Sequence, residues 1–140
     1  TLHKEGAPLI RYRTHDLSRI IPGECPCGSK YPRIDVILGR TDDMVKVKGV
    51  NIFPSQIEEM LKGINGASSE YQVMIDHLNG KDILTLFVEI KDDANAYEME
   101  HEIGAAFKAK IGIVAIIKPV AIGDLPRSEK KSTRIYDNRY

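Results

Sequence analysis

The sequence predicts a small α+β domain preceded by a strand-and-loop arm, and three observations lead there. From Met44 onward the apolar residues switch repeatedly between a period of two and a period of 3.6, so strands and helices take turns. Glycine turns at Gly49 and at Asn79-Gly80 each join β-rich runs, which predicts hairpins. Ahead of Gly39 no helical period is found, and Pro8, Pro22, Gly23, Pro26, Gly28 and Pro32 cut the chain into short extended pieces. A chain of 140 residues has room for one core-bearing domain, or for a small domain with an appended arm. It opens on Thr1 rather than Met, and a piece of a longer protein is expected.

The elements follow in order. Leu9 to Arg13 and Leu17 to Ile21 read as short extended segments, punctuated by Pro and Gly, that could hardly bury a core of their own, so they are expected to be strands borrowed from a neighbouring domain. A boundary is placed near Gly39 to Asp43. Met44 to Lys48 alternates as a strand, with Lys46 and Lys48 on one face, and Gly49 turns the chain back. Pro54 starts a helix on which Ile57, Met60, Leu61 and Ile64 recur at i, i+3, i+4 and i+7. Tyr71 to Ile75 and Ile83 to Ile90 are the two runs flanking the Asn79-Gly80 turn. A second helix is expected over 96–111: Met99, Ile103, Ala106, Phe107 and Ile111 share its apolar side, and Glu98, Glu100, Lys108 and Lys110 face water. Gly112 ends it, Val114 to Val120 follows as a last core strand, and Leu125 to Tyr140 reads as a polar, basic tail. Hairpin, helix, strand, strand, helix, strand is a split β-α-β order, and it resembles the ferredoxin-like fold. Such a fold does not by itself give a function.

Composition excludes several classes. Lys plus Arg and Asp plus Glu number 20 each, so net charge offers no attraction for nucleic acid or an acidic membrane. The longest apolar run, 111–117, is interrupted by Gly112 and is too short to span a bilayer. No signal peptide is read at the start, and a cytoplasmic protein is expected. Cys25 and Cys27 are the two cysteines, in Cys25-Pro26-Cys27-Gly28. A disulfide between residues two apart would be badly strained. The pair reads either as two free thiols in a Pro/Gly loop or as half of a tetrahedral zinc site. No Gly-rich phosphate loop, Ser/His/Asp set or paired-carboxylate constellation stands out, and His77 and His101 read as solvated.

Three local patterns occur in a fixed order. Tyr12-Arg13-Thr14-His15-Asp16-Leu17 comes first, Gly39 to Leu61 is central, and Pro126-Arg127-Ser128-Glu129-Lys130-Lys131-Ser132-Thr133-Arg134 lies near the end. Read singly, each has an ordinary structural explanation: a satisfied strand-end Asp, a charged hairpin, a soluble basic tail. Together they resemble the adenylate-forming ligases, and more narrowly the phenylacetate–CoA ligases, over the whole of residues 1–140. His15 stands where the superfamily commonly has Gly, and a large basic residue there is similar to the phenylacetate–CoA ligases. Lys130 stands where the terminal motif usually has Gly.

The resemblance implies roles residue by residue. It makes residues 1–41 the tail end of a large adenylation domain and 42–140 its mobile C-terminal lid domain. Asp16 would bind the ribose hydroxyls of ATP, a task suited to a carboxylate that accepts two donors. Arg40 would lie near ribose and phosphates, and Asp42 would be the hinge whose φ/ψ change rotates the lid. Lys46 would face the active site in the second half-reaction, and Gly49 would line the channel for the pantetheine arm. Lys131 would reach the substrate carboxylate and the α-phosphate, where a mobile ammonium stabilises developing charge. A cysteine pair similar to Cys25 and Cys27 occurs in some relatives.

The implied enzyme is an AMP-forming acid–thiol ligase whose substrates are a carboxylic acid, ATP with Mg2+, and coenzyme A. The fragment alone is expected to be inactive, because its partner, the adenylation domain, is missing. A homodimer through the free sheet edge or exchanged strands is also expected. Two alternatives stay open at this point: an adenylyltransferase of the coenzyme F390 synthetase type, and a non-catalytic ferredoxin-like module that binds a small molecule.

Overall fold

The computed structural model describes residues 3–127 and 134–139. The chain divides into two compact units, Thr1–Asp42 and Asp43–Tyr140.

The first unit is built from four two-residue strands: β1 (Asp16–Leu17), β2 (Ile20–Ile21), β3 (Arg33–Ile34) and β4 (Gly39–Arg40). β1 pairs antiparallel with β4, and β2 antiparallel with β3. The extended segment expected over 9–13 joins no ladder. None of the described residues up to Asp42 is buried. The unit therefore has strands but no core of its own, as its low count of apolar residues in periodic array requires.

The second unit carries the core. β5 (Val45–Val47) and β6 (Val50–Ile52) form a hairpin closed by Lys48 at φ +50° and Gly49 at φ +82°. Two successive positive φ values make this a type I′ turn, whose twist matches that of the strands it joins. Lys48 thus belongs to the turn rather than to the strand, and the expectation that it shares a strand face with Lys46 is corrected. Helix α1 (Pro54–Lys62) begins at Pro54 as expected; the Gln56 side chain accepts from the Phe53 N–H at 3.1 Å and caps the first turn. Ile57, Met60, Leu61 and Ile64 are all buried.

Strands β7 (Ala67–Leu78) and β8 (Lys81–Ile90) form a long antiparallel hairpin around Asn79 and Gly80, at φ +51° and +76°, a second type I′ turn. Helix α2 spans Ala96–Ile111, started by the Asn95 side chain accepting from the Tyr97 N–H and ended by Gly112 at φ +91°. It returns the chain to β9 (Ile116–Ala121), which lies parallel to β8. A tenth strand, β10 (Ile135–Asp137), pairs parallel with β7. The sheet order is β10-β7-β8-β9.

The α+β class stands, with a mixed sheet. The ferredoxin-like arrangement is not confirmed: β8 and β9, the strands joined through α2, are direct neighbours, and the β5–β6 hairpin forms a separate two-stranded sheet. Two details go beyond the expected order. The polar tail after Leu125 contributes a strand, β10, which extends the sheet beside β7. The last strand of the β-α-β unit contributes Ile117 to the core, as expected, but lies at the edge of the sheet, and this is why Pro119, with no N–H to offer, is tolerated in it.

The core joins Val47 and Ile52 of the hairpin, Ile57 and Leu61 of α1, Tyr71, Val73 and Ile75 of β7, Leu84, Leu86 and Val88 of β8, and Ile103 and Phe107 of α2. Every apolar position foreseen on α2 except half-buried Ala106 is buried. Among the described residues no helix is long and apolar enough to cross a membrane.

Candidate functional site

The candidate residues fall into separate groups: the Asp16–Arg40–Asp42 set and the cysteine pair in the first unit, and the others in the second. In the first unit, the β1–β4 ladder places Asp16 directly across from Arg40. The Arg40 guanidinium donates to Asp42 through both arms, Nε to Oδ1 at 3.0 Å and Nη2 to Oδ2 at 2.7 Å. Its Nη1 lies 3.5 Å from Asp16 Oδ1. Three residues singled out on sequence, Asp16, Arg40 and Asp42, are therefore one cluster bridged by a guanidinium. The hydrogen bond from Arg40 holds the Asp42 carboxyl below the usual carboxylate range. The cluster remains open: the side chains of Arg40 and Asp16 are 40% and 30% exposed. Such an arrangement offers carboxylate oxygens to hydroxyl donors beside a fixed positive charge for an anion.

His15, the residue standing where a glycine is usual, has φ +65°. The backbone there is left-handed, a conformation glycine adopts freely and histidine adopts more readily than most side chains. Its carbonyl accepts from the Thr41 N–H at 2.8 Å, which fixes the β1–β4 pair beside the cluster.

The Cys25 and Cys27 sulfurs lie 2.9 Å apart in a turn closed by the Gly28 N–H donating to the Cys25 carbonyl. The Cys25 thiol draws the Cys27 pKa below its ordinary value. Among the described residues no group of three or more His, Cys, Asp or Glu side chains could hold a metal ion. A tetrahedral zinc site at this pair would need further donors from elsewhere.

In the second unit, Lys46 and Gly49 occupy the first hairpin. Lys46 is exposed while its neighbour Val47 is fully buried, as strand alternation dictates. A Cβ built on Gly49 would meet nothing within 4 Å, so the turn stands open to a close approach. Beneath this hairpin lies a polar knot that sequence reading missed. Arg139 Nη1 donates to the Lys46 carbonyl at 3.0 Å and to Asp82 Oδ2 at 2.8 Å. Its Nε and Nη2 reach the two oxygens of Asp137 at 2.8 and 2.7 Å. Asp82 also pairs with His77 Nδ1 at 2.9 Å. His77 is thus hydrogen-bonded rather than simply solvated. The bond from His77, and then the Arg139 guanidinium, hold the Asp82 carboxyl below the usual range, and Arg139 does the same for Asp137.

Lys131 lies outside the described residues, and Arg127 and Arg134 on either side of that segment are well placed. Arg127 Nη2 donates to Glu89 Oε2 at 2.8 Å; Glu89 is fully buried on β8 and its Oε1 also accepts from the Gly123 and Leu125 N–H groups at 3.0 and 3.2 Å. Arg134 lies over the Tyr71 ring at 4.8 Å and donates to the Ser69 carbonyl at 2.7 Å. Both arginines approach Glu70, at 3.7 and 3.6 Å. Burial raises the Tyr71 hydroxyl pKa, and that hydroxyl donates to the Pro54 carbonyl at 3.0 Å. The signal available in sequence was a single charged residue, Glu89, in the β-rich run 83–90: a buried carboxylate must find donors.

The profile of a family described as the AMP-binding enzyme C-terminal domain matches residues 49–139. A phenylacetate–coenzyme A ligase of Escherichia coli K12 is 38% identical over an alignment covering 99% of this chain and 32% of that protein. The chain spans about a third of the length of the curated relatives it matches. Among solved structures, a 2-hydroxyisobutyryl-CoA ligase in the postadenylation state with R3-HIB-AMP is similar at TM-score 0.79 and 32% identity, covering 94% of this chain and 29% of that one. The same ligase with 2-HIB-AMP and CoA in the thioesterification state is similar at TM-score 0.65 and 32% identity, with the same shares covered.

Proposed function

The chain belongs to the AMP-binding enzyme C-terminal domain family, and from that premise we propose that it is the lid portion of an AMP-forming acid–thiol ligase of phenylacetate–CoA ligase type. In this reading residues 1–41 end the large adenylation domain and 42–140 form the mobile lid. The complete enzyme takes a carboxylic acid, ATP with Mg2+ and coenzyme A. Acid and ATP give an acyl adenylate and pyrophosphate; the coenzyme A thiol then attacks the acyl carbon, and AMP leaves.

The observation that carries the reading is the Asp16–Arg40–Asp42 cluster, ending the first unit at the residue the resemblance assigns to the hinge. Asp16 receives the ribose hydroxyls and Arg40 the adjacent negative charge, so the nucleotide would compete with Asp42 for the guanidinium. That competition couples nucleotide binding to the segment about which the lid turns. Lys131 would act on the adenylation step and the Lys46–Gly49 hairpin on the thioester step, one domain serving two active-site shapes in turn. The coreless first unit supports the domain assignment: Ile10, Tyr12, Ile20, Tyr31, Ile34 and Val36 are exposed and would be covered by the rest of a large domain. Zinc at Cys25 and Cys27 would be structural, completed by donors from that domain.

Phenylacetate is the acid named for the curated relatives and is the first to test. The complete protein, given phenylacetate, ATP with Mg2+ and coenzyme A, is expected to release AMP and pyrophosphate and to accumulate the thioester. Adenylylated product without a thioester would replace this reading with an adenylyltransferase. No turnover of ATP with any carboxylic acid, together with saturable binding of a small effector, would replace it with a binding module.

A further inference from the structure

The knot under the first hairpin has no part in the reaction outlined above, yet its geometry bears on it. Arg139, just after β10, has a side chain only 13% exposed, and it joins three elements that are remote from one another in sequence. It holds Asp137 of β10, Asp82 at the start of β8, and the carbonyl of Lys46 in β5. In the β5–β6 ladder Val47 faces Val50 next to the turn, and Lys46 faces Asn51. Ladder hydrogen bonds alternate between facing pairs, so after a bonded Val47–Val50 pair the Lys46 carbonyl points away from β6. Arg139 satisfies this outward acceptor. Asp82 in turn holds the same guanidinium at 2.8 Å, so a guanidinium and a carboxylate bonded to each other brace the hairpin backbone at Lys46, next to buried Val47.

We propose that Arg139 and Asp82 are positioning residues for thioester formation, a paired clamp that fixes the Lys46–Gly49 hairpin in the pose from which it serves the coenzyme A channel. This rests on the functional reading above. Neither side chain need touch a substrate. Their effect passes through the backbone that carries Lys46 and Gly49, and the planar fork of arginine is what lets one group reach Lys46, Asp82 and Asp137 at once. Lysine at 139 would keep the charge and lose the fork.

The test uses the complete enzyme with Arg139→Lys and Asp82→Asn. In each variant thioester formation from preformed acyl adenylate is expected to slow about tenfold to a hundredfold, as a misplaced active-site element does, with the loss in kcat rather than in KM for coenzyme A. Pyrophosphate exchange should stay within about twofold of wild type, which also reports that the protein is folded. Amide hydrogen exchange across residues 45–52 should quicken about tenfold or more while that of α2 is unchanged. Equal losses in both half-reactions, or unchanged exchange across 45–52, would overturn the clamp. A wild-type enzyme that exchanges pyrophosphate but makes no thioester would overturn the ligase reading instead, and the clamp's catalytic role with it.

Discussion

Glu89 shows how much one side chain can organise. It is a fully buried carboxylate on the central strand β8, and it satisfies the N–H groups of Gly123 and Leu125 together with the Arg127 guanidinium. Taking charge out of water is costly unless such donors compensate it, and removing the acceptor would strand three of them. Glu89→Ala is expected to lower stability by about 2–4 kcal/mol, read as a shift of the urea midpoint at unchanged slope. A loss within ~0.5 kcal/mol would mean that water replaces the carboxylate. The packing partner on the other face is easier to forecast: Phe107→Ala should cost about 3–5 kcal/mol by leaving a cavity between α2 and the sheet. Phe107 was legible in sequence from its helical spacing. Glu89 was not, because periodicity reports that a position is inside but says nothing about the partners it finds there.

At the scale of elements, the sequence was most readable where local chemistry is decisive. Asn79-Gly80, Pro54 and Gly112 each carry a turn or cap preference, and each sits where that preference requires. Lys48 is the exception, since lysine has no liking for φ +50° and only the following glycine betrays the turn. Gly49→Ala is expected to destabilise the domain by about 1–2 kcal/mol through backbone conformation alone, because the added methyl would meet open space. Thermal or urea unfolding measures it, and an unchanged midpoint would show that the turn relaxes. β10 was unreadable for a different reason. It is three residues long and pairs in parallel with a strand about 60 residues earlier, so nothing in its own pattern announces it.

The clamp beneath the first hairpin also gives a pH dependence. Asp82 and Asp137 have folded-state pKa values below their ordinary 3.8, Asp82 through His77 and Arg139, Asp137 through Arg139. The unfolded chain therefore binds more protons than the folded one in this range. The stability these groups supply is complete above the ordinary carboxylate value and is lost as pH falls through it toward the folded values. Urea midpoints followed from neutral pH down to about pH 3 should decline less steeply for Asp82→Asn than for wild type. Identical slopes would show that the pair contributes no linkage.

For the whole molecule, the informative contrast is between a unit with a complete core and a unit with none. Every buried apolar residue belongs to the second unit among the described residues. Residues 43–140 made alone are expected to unfold in one cooperative transition, whereas residues 1–42 alone should show none. The sequence conveyed this division well, since missing helical periodicity and a run of Pro and Gly mark a segment that cannot pay the entropy of ordering itself. It conveyed less of how the second unit is wired, because Arg127, Arg134 and Arg139 find their acceptors only after distant strands have come together. In the proposed ligase this domain serves the two half-reactions in turn, adenylation through Lys131 and thioester formation through the Lys46–Gly49 hairpin. The most direct measurement is to make Lys131→Ala in the complete enzyme and assay the two steps separately. Pyrophosphate exchange should fall by about a thousandfold while thioester formation from supplied acyl adenylate stays near wild type. Equal loss of both steps, or none of either, would contradict it.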